Sequence, residues 1–150
     1  MNSNADALLR LFQASTKAGA VMTGAFDNLV ADLGLSSARG QILDVLERSQ
    51  PRTVSQIARV LGLSRQAVQR LADDLVDRGL AAYARNPEHA RAHLLSMTDQ
   101  GCAAHAEALR RKGVWLESLA EGLTPTWLDM ASELLTLTAR RAAQKPPKTT

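Results

Sequence analysis

The stretch SQIARVLGLSRQAVQRLADDL, residues 55–75, decides the fold. It holds two short amphipathic segments separated by Gly62 and its immediate neighbours. The first carries Ile57, Ala58, Val60 and Leu61 toward one side. Ahead of it, Thr53 and Gln56 have capping-box spacing: a threonine hydroxyl accepts from the amide three residues on, and the glutamine reaches back. This pattern predicts a short helix that breaks at Gly62. Ser64 is a good N-cap for a following helix that runs to about Arg78. On that helix Val68, Leu71, Ala72, Leu75 and Val76 share one face, while Gln66, Gln69, Arg70, Asp73 and Asp77 lie on or near the other.

Two helices joined by a short glycine-containing turn form a helix-turn-helix, whose second helix can enter the major groove of DNA. Each marker position has a packing reason. Ala58 is small where the helices approach, Gly62 is free to take a positive φ, and Val68 locks the second helix onto the first. An ordinary helical pair with a solvated outer face is the competing reading. The chemistry of that face favours groove reading: Arg65 and Arg70 suit phosphate or guanine, and Gln66 and Gln69 carry the paired donor and acceptor that match an adenine edge. The candidate DNA-contacting residues of this helix are Ser64, Arg65, Gln66, Gln69 and Arg70.

Beyond Gly79, LAAYAR (80–85) reads as a strand, NPEHAR (86–91) as a tip, and AHLLSM (92–97) as a returning strand with Leu95 and Met97 inward. A basic hairpin directly after a recognition helix is a wing. Its tip offers Arg91 to a minor groove, and His89 to phosphate when protonated.

Working outward, residues 6–33 repeat apolar side chains at helical spacing, from Leu8, Leu11 and Phe12 through Met22, Phe26, Leu29 and Leu33, and Gly34 stops the run. Ser36 or Ser37 caps a second helix that buries Ile42, Leu43 and Leu46 and ends at Gln50 and Pro51. After the wing, a helix over residues 99–119 bears a stripe of Cys102, His105, Ala106, Leu109, Leu116 and Leu119. Thr124 and Pro125 form a cap and first-turn pair for a last helix through Arg141. The tail QKPPKTT, 144–150, reads as disordered.

The 150 residues, 45% hydrophobic and 22% charged, fit a single domain over 1–150 with a real core. Aromatic residues make up 3%, and the dominance of Leu and Ala favours helix over sheet. The formal charge of +3 suits a polyanionic partner without requiring one. Cys102 is the sole cysteine, which excludes an intramolecular disulfide and a zinc cluster of cysteines. The first residues do not resemble a secretion signal, and there is no run of 18 apolar residues, so a cytoplasmic protein without membrane partners is expected. No nucleophile–base constellation or phosphate loop points to an enzyme, and no cofactor is implied.

This order of elements resembles the multiple antibiotic resistance regulator (MarR) family of winged-helix transcription factors. The likeness rests on a long first helix, a helix-turn-helix ending in LVDRGL, a wing ending in RAHLLSMTDQG, and two closing helices. Arg91, Leu95, Met97, Thr98 and Gly101 follow the family's wing signature, with methionine in place of leucine and His89 where the family has an aspartate. The resemblance implies a mainly α fold with a small β-wing. A winged helix-turn-helix at about 36–98 would be flanked by dimerisation helices at about 6–33 and 99–143. It also implies a homodimeric DNA-binding regulator acting on a pseudo-palindromic site, with repression the expected outcome.

Family members often bind aromatic or phenolic effectors between the dimer helices and the winged core. Met22, Phe26, His105 and Trp115 are candidate lining residues here, and each also fits an ordinary core or interface position. Cys102 lies just inside a helix start, which favours thiolate and a redox-sensing role, yet its place on the stripe favours simple packing. Cys102 and His105 with His89 and His93 invite a metal reading, but no carboxylate pattern completes the set. A winged-helix module that docks another protein is the alternative from a different class. Asp73, Asp74 and Asp77 on the recognition helix would serve it.

Overall fold

The computed structural model describes residues 3–48, 51–89 and 91–144. The chain falls into two compact units, the first ending at Lys112 and the second beginning at Gly113. The first unit opens with α1 (Ser3–Leu29) and a single 3-10 turn (Ala31–Leu33). Then come α2 (Ser37–Glu47), β1 (Arg52–Thr53), α3 (Val54–Leu61), α4 (Arg65–Asp77), β2 (Ala81–Ala84) and β3 (Leu94–Met97). Helix α5 (Asp99–Ala120) follows, and α6 (Pro125–Ala143) lies in the second unit.

Capping fixes the starts of these helices. Ser36, not Ser37, caps α2 by accepting from Arg39 N at 3.3 Å. The capping box before α3 is complete: Thr53 Oγ1 accepts from Gln56 N at 3.3 Å and Gln56 Oε1 accepts from Thr53 N at 2.9 Å. Gly62 ends α3 at φ 66°, in the left-handed region, with its N–H returned to Ala58 O. Ser64 Oγ then accepts from Ala67 N at 3.1 Å to start α4. Thr98 performs two tasks, donating to Gly79 O at 2.6 Å and accepting from Gly101 N at 3.0 Å, so the end of the wing and the start of α5 are tied together. At α6, Pro125 opens the helix as expected, while the Thr124 side chain makes no cap bond.

The core of the first unit is one apolar cluster. Val30, Leu35, Ile42, Leu43, Ile57, Val68, Leu75, Leu80 and Leu95 are its largest fully enclosed side chains. The inner face of α4 matches the sequence pattern, with Val68, Ala72 and Leu75 buried and Leu71 and Val76 half-buried beside them.

Several expectations need correction. The first helix does not reach Leu33; it stops at Leu29, because the donors of Leu33 and Gly34 turn back on the nearer carbonyls of Val30 and Ala31. Val60 is 57% exposed rather than in the core, since α3 buries Val54, Ile57 and Ala58 and turns Val60 outward. On α5 the buried positions are Gly101, His105 and Ala108, so Cys102, Ala106 and Leu109 lie on the exposed side of that line. The thiol of Cys102 is exposed, not packed.

The wing is a three-stranded antiparallel sheet in the order β1-β3-β2, with Arg52 opposite Leu95 and Tyr83 opposite Leu95 from the other side. The short strand β1 is invisible to periodicity because it is two residues long. The tail read as disordered lies, from residue 145 onward, outside the described residues, as does Gln50 at the end of the second helix. Among the described residues no helix is long and apolar enough to cross a membrane.

Candidate nucleic-acid interface

Helix α4 is held from three sides, which gives its outer face a fixed aim. Its inner face enters the core through Val68, Ala72 and Leu75. Asp74 ties it to α2, accepting from Arg39 Nη1 at 2.7 Å, and also takes Arg78 Nε at 3.0 Å one turn along. The guanidinium bonds of Arg78 and Arg39 hold the Asp74 carboxyl below the usual aspartate range. Toward the wing, Gln69 Nε2 donates to Asp73 Oδ1 and to Tyr83 Oη, each at 2.8 Å, and Tyr83 Oη donates to the same Asp73 oxygen at 2.8 Å. Burial, reinforced by Asp73, pushes the Tyr83 phenol up to about 12.

Among the described residues, the remaining polar side chains of this face make no hydrogen bond or ion pair. Arg65, Gln66 and Arg70 are exposed, and the two arginines make no ion pair among the described residues. The contrast with Arg39, Arg78, Arg110 and Arg111 is physical: all four pair with carboxylates, Arg39 and Arg111 across elements and Arg78 and Arg110 within about one turn, whereas Arg65 and Arg70 pair with none among the described residues.

Arg91 and His89 are exposed at the wing tip. An Asx turn at Asn86, whose Oδ1 accepts from Glu88 N at 3.0 Å, and a bond from Ala92 N to His89 O at 3.1 Å shape that tip. A cleft of about 130 Å³ runs between α4, the start of α3 and the wing, lined by Thr53, Ser55, Arg65, Gln69, Tyr83 and Arg91 among others. It brings the recognition-helix arginine and the wing arginine onto one concave surface. Ser64 stays a helix cap at the rim of α4.

Three residues at this face, Asp73, Tyr83 and Ser55, are not among the candidate DNA contacts read from the sequence. Asp73 lies four residues from Gln69, a helical spacing that was legible; Tyr83 reaches the helix only through strand pairing, which was not. Ser55 lines the cleft because β1 places the start of α3 there.

A second cavity, of about 120 Å³, lies between α1, α2 and α5. Phe26, Gln41, Asp44, His105 and Lys112 are among its lining residues. His105, 3% exposed, donates from Nε2 to Asp44 Oδ1 at 2.8 Å, with Glu47 Oε1 3.7 Å from Nδ1. Lys112 Nζ stands 5.4 Å from the Phe26 ring centroid. The cavity thus gathers Phe26 and His105 of the four expected lining residues. Met22 is exposed on α1, and neither it nor Trp115 lines the cavity. Among the described residues no three His, Cys, Asp or Glu side chains are grouped to hold a metal ion.

Comparison with known proteins agrees with this geometry. The family model described as "MarR family" matches residues 33–92. An uncharacterized protein of Mycobacterium tuberculosis is 38% identical over 102 residues, 68% of this chain and 71% of that protein. Among solved structures, the MarR family transcription regulator SP03579 superposes with a TM-score of 0.86 at 24% identity, covering 95% of both chains. The transcriptional repressor CouR, bound to a 23-mer DNA duplex, gives 0.72 at 29% identity over 86% of this chain and 89% of its own. A mutant MarR from E. coli complexed with operator DNA gives 0.77 at 20% identity, over 89% and 96%.

Proposed function

Because the chain belongs to the MarR family of transcription regulators, we propose that it reads double-stranded DNA sequence-specifically. In this reading it acts as a homodimer on a pseudo-palindromic operator and represses transcription. The observation that carries this reading is the division of charge on α4: Arg65 and Arg70 are exposed and unpaired, while Asp73 and Asp74 are engaged by Gln69, Tyr83, Arg39 and Arg78. A helix face on which Asp73 and Asp74 are already engaged, with Asp77 exposed only at its far end, and whose arginines are free offers donors to a groove. Of the three acids that would serve a protein-docking module, Asp73 and Asp74 are engaged in this way and Asp77 alone stays exposed without a partner among the described residues.

The homodimer rests on unpartnered apolar side chains. Leu8, Leu9, Phe12 and Val21 of α1 and Trp127, Met130, Leu134 and Leu137 of α6 are exposed, and neither helix contains a buried residue. A second copy covers such faces symmetrically and sets two recognition helices about 34 Å apart, one duplex turn. The cavity holding Phe26, His105 and Lys112 is the site we assign to a small aromatic effector, whose binding would release the operator.

Selection of random duplex DNA by the purified protein, followed by salt titration of the winners, tests the reading. The expected result is a two-fold symmetric site with half-sites one turn apart, and an affinity that falls steeply with salt as phosphates release counterions. No enrichment, with binding weak even at low salt, overturns it.

A further inference from the structure

Gln69, half-buried, differs from the exposed polar residues of α4 in one respect that bears on which base it can read. Its side-chain amide nitrogen stands 2.8 Å from each of two acceptors, Asp73 Oδ1 and Tyr83 Oη, which engage its two hydrogens through bent bonds. The orientation of the amide follows from chemistry. A carboxylate oxygen only accepts, so the amide must turn its nitrogen toward Asp73; Tyr83 spends its own hydrogen on Asp73 and can therefore only accept from Gln69. Flipping the amide would set its carbonyl oxygen against a carboxylate. What Gln69 retains is the carbonyl oxygen Oε1.

A glutamine reads adenine by a pair of bonds, accepting from N6 and donating to N7. A glutamine with no free donor cannot form the second. We propose that the Tyr83–Asp73 pair makes Gln69 an acceptor-only reader that recognises an exocyclic amine in the major groove, adenine N6 or cytosine N4, and rejects guanine and thymine. This rests on the DNA-reading function proposed above. Guanine offers N7 and O6 and thymine offers O4, acceptors that repel a bare carbonyl.

Tyr83 is a positioning residue in this scheme. It belongs to the wing strand β2, paired with Leu95 of β3, and it controls the glutamine without touching a base. The location is apt, because Gln69 and Tyr83 line the cleft that also holds Arg65 and Arg91. Gln66, exposed three residues earlier on the same helix and without a side-chain bond of this kind, keeps both donor and acceptor and serves as the internal control.

The test is selection from random duplexes by the full-length wild-type protein, Gln69→Ala and Tyr83→Phe. In the wild type one half-site position should accept adenine and cytosine comparably, and Gln69→Ala should level that position to all four bases. Tyr83→Phe keeps the ring but returns one N–H to Gln69, so adenine should rise over cytosine by about fivefold or more at that position. The proposal is overturned if the Gln69-dependent position is adenine alone in the wild type, if no position depends on Gln69, or if Tyr83→Phe leaves the adenine-to-cytosine ratio unchanged.

A measurement without DNA separates this proposal from the one beneath it. In ¹⁵N NMR spectra of the free wild-type protein, the Gln69 side-chain N–H protons should exchange more slowly than those of Gln66, and faster in Tyr83→Phe. Equal exchange of Gln66 and Gln69 in the wild type overturns the clasp itself. A slow Gln69 in a protein that enriches no DNA sequence overturns the DNA-reading function, and the base assignment falls with it while the clasp stands.

Discussion

The winged core and the two terminal helices draw on the same leucine- and alanine-rich vocabulary but end in opposite states. Between Val30 and Leu95 the apolar side chains close on one another, with Val30, Ile42, Leu43, Ile57, Val68, Leu75 and Leu95 fully enclosed. Helices α1 and α6 hold no fully buried residue, and only Phe26 and Leu29 at the end of α1 pack against the core: Phe12 is 65% and Trp127 62% exposed. An amphipathic stripe therefore says that a face will be covered, without saying by what. In the middle of the chain the cover is the chain itself; at the ends it is left to another surface, which the dimer proposed above supplies.

The sharpest way to break that contrast is to truncate one leucine from each region. Leu43→Ala removes a fully enclosed side chain and should cost about 2–5 kcal/mol of unfolding free energy, the cavity adding to the lost burial. Leu134→Ala, on α6, should leave the unfolding of the dilute protein nearly unchanged and weaken self-association instead. Urea unfolding and sedimentation over a series of concentrations distinguish the two. A Leu134→Ala cost equal to that of Leu43→Ala in dilute protein would end the distinction between self-covered and partner-covered faces.

Two glycines of α5 make the same comparison within one helix. A Cβ at Gly101 would collide with the Leu80 carbonyl oxygen and stand 2.9 Å from its carbon, because the start of α5 is drawn in against the wing by Thr98. Around Gly113 nothing lies within 4 Å of such a Cβ. Gly101→Ala should destabilise by about 1–3 kcal/mol through overpacking. Gly113→Ala should stabilise by about 0.5–1 kcal/mol by removing helix entropy cost. Thermal unfolding of the two variants beside the wild type reads the sign directly, and a shared sign would show that the crowding at Gly101 is relieved by a small shift.

Most of the fold was legible because the signals are local. The TVSQ capping box, Gly62, Ser64 and the inward phase of Val68, Ala72 and Leu75 all follow from spacing within one or two turns, and each has its counterpart in the structure. What was not legible depends on contacts distant in sequence. The burial phase of α5 is set by the close approach of Gly101 to Leu80, which turns His105 and Ala108 inward and leaves Cys102 outside. The end of α1 is set in part by Arg111, whose Nη1 donates to Leu29 O at 2.9 Å across 82 residues. The polar face of α4 was visible as a list of side chains, but which of them are free was not. Asp74 is claimed by Arg39 from another helix and Gln69 by Tyr83 from the sheet.

The smallest expected effect concerns the ionic tie that fastens α5 to the end of α1. Arg111 donates from Nε to Glu107 Oε1 at 2.9 Å and from Nη1 and Nη2 to the two oxygens of Asp32 at 2.7 and 3.0 Å. Arg110 donates to both oxygens of Glu107, at 2.8 and 2.9 Å. The bonds from Arg110 and then Arg111 hold the Glu107 carboxyl at about 2, down from an ordinary 4.5, and Arg111 lowers Asp32 as well. A carboxylate depressed on folding contributes stability that is complete above its unfolded value and disappears as pH falls through its folded value. Glu107→Gln should therefore narrow the stability gap to wild type as pH drops from about 4.5 toward 2, with a roughly constant gap above that window. These groups are solvent-facing, so the gap should also shrink with added salt. Urea midpoints at pH 6 and pH 3, at low and high ionic strength, measure both trends. A gap that ignores pH would mean that Glu107 supports α5 by shape alone, and the electrostatic tie between α5 and the end of α1 would be ornamental next to the packing of Gly101, His105 and Ala108.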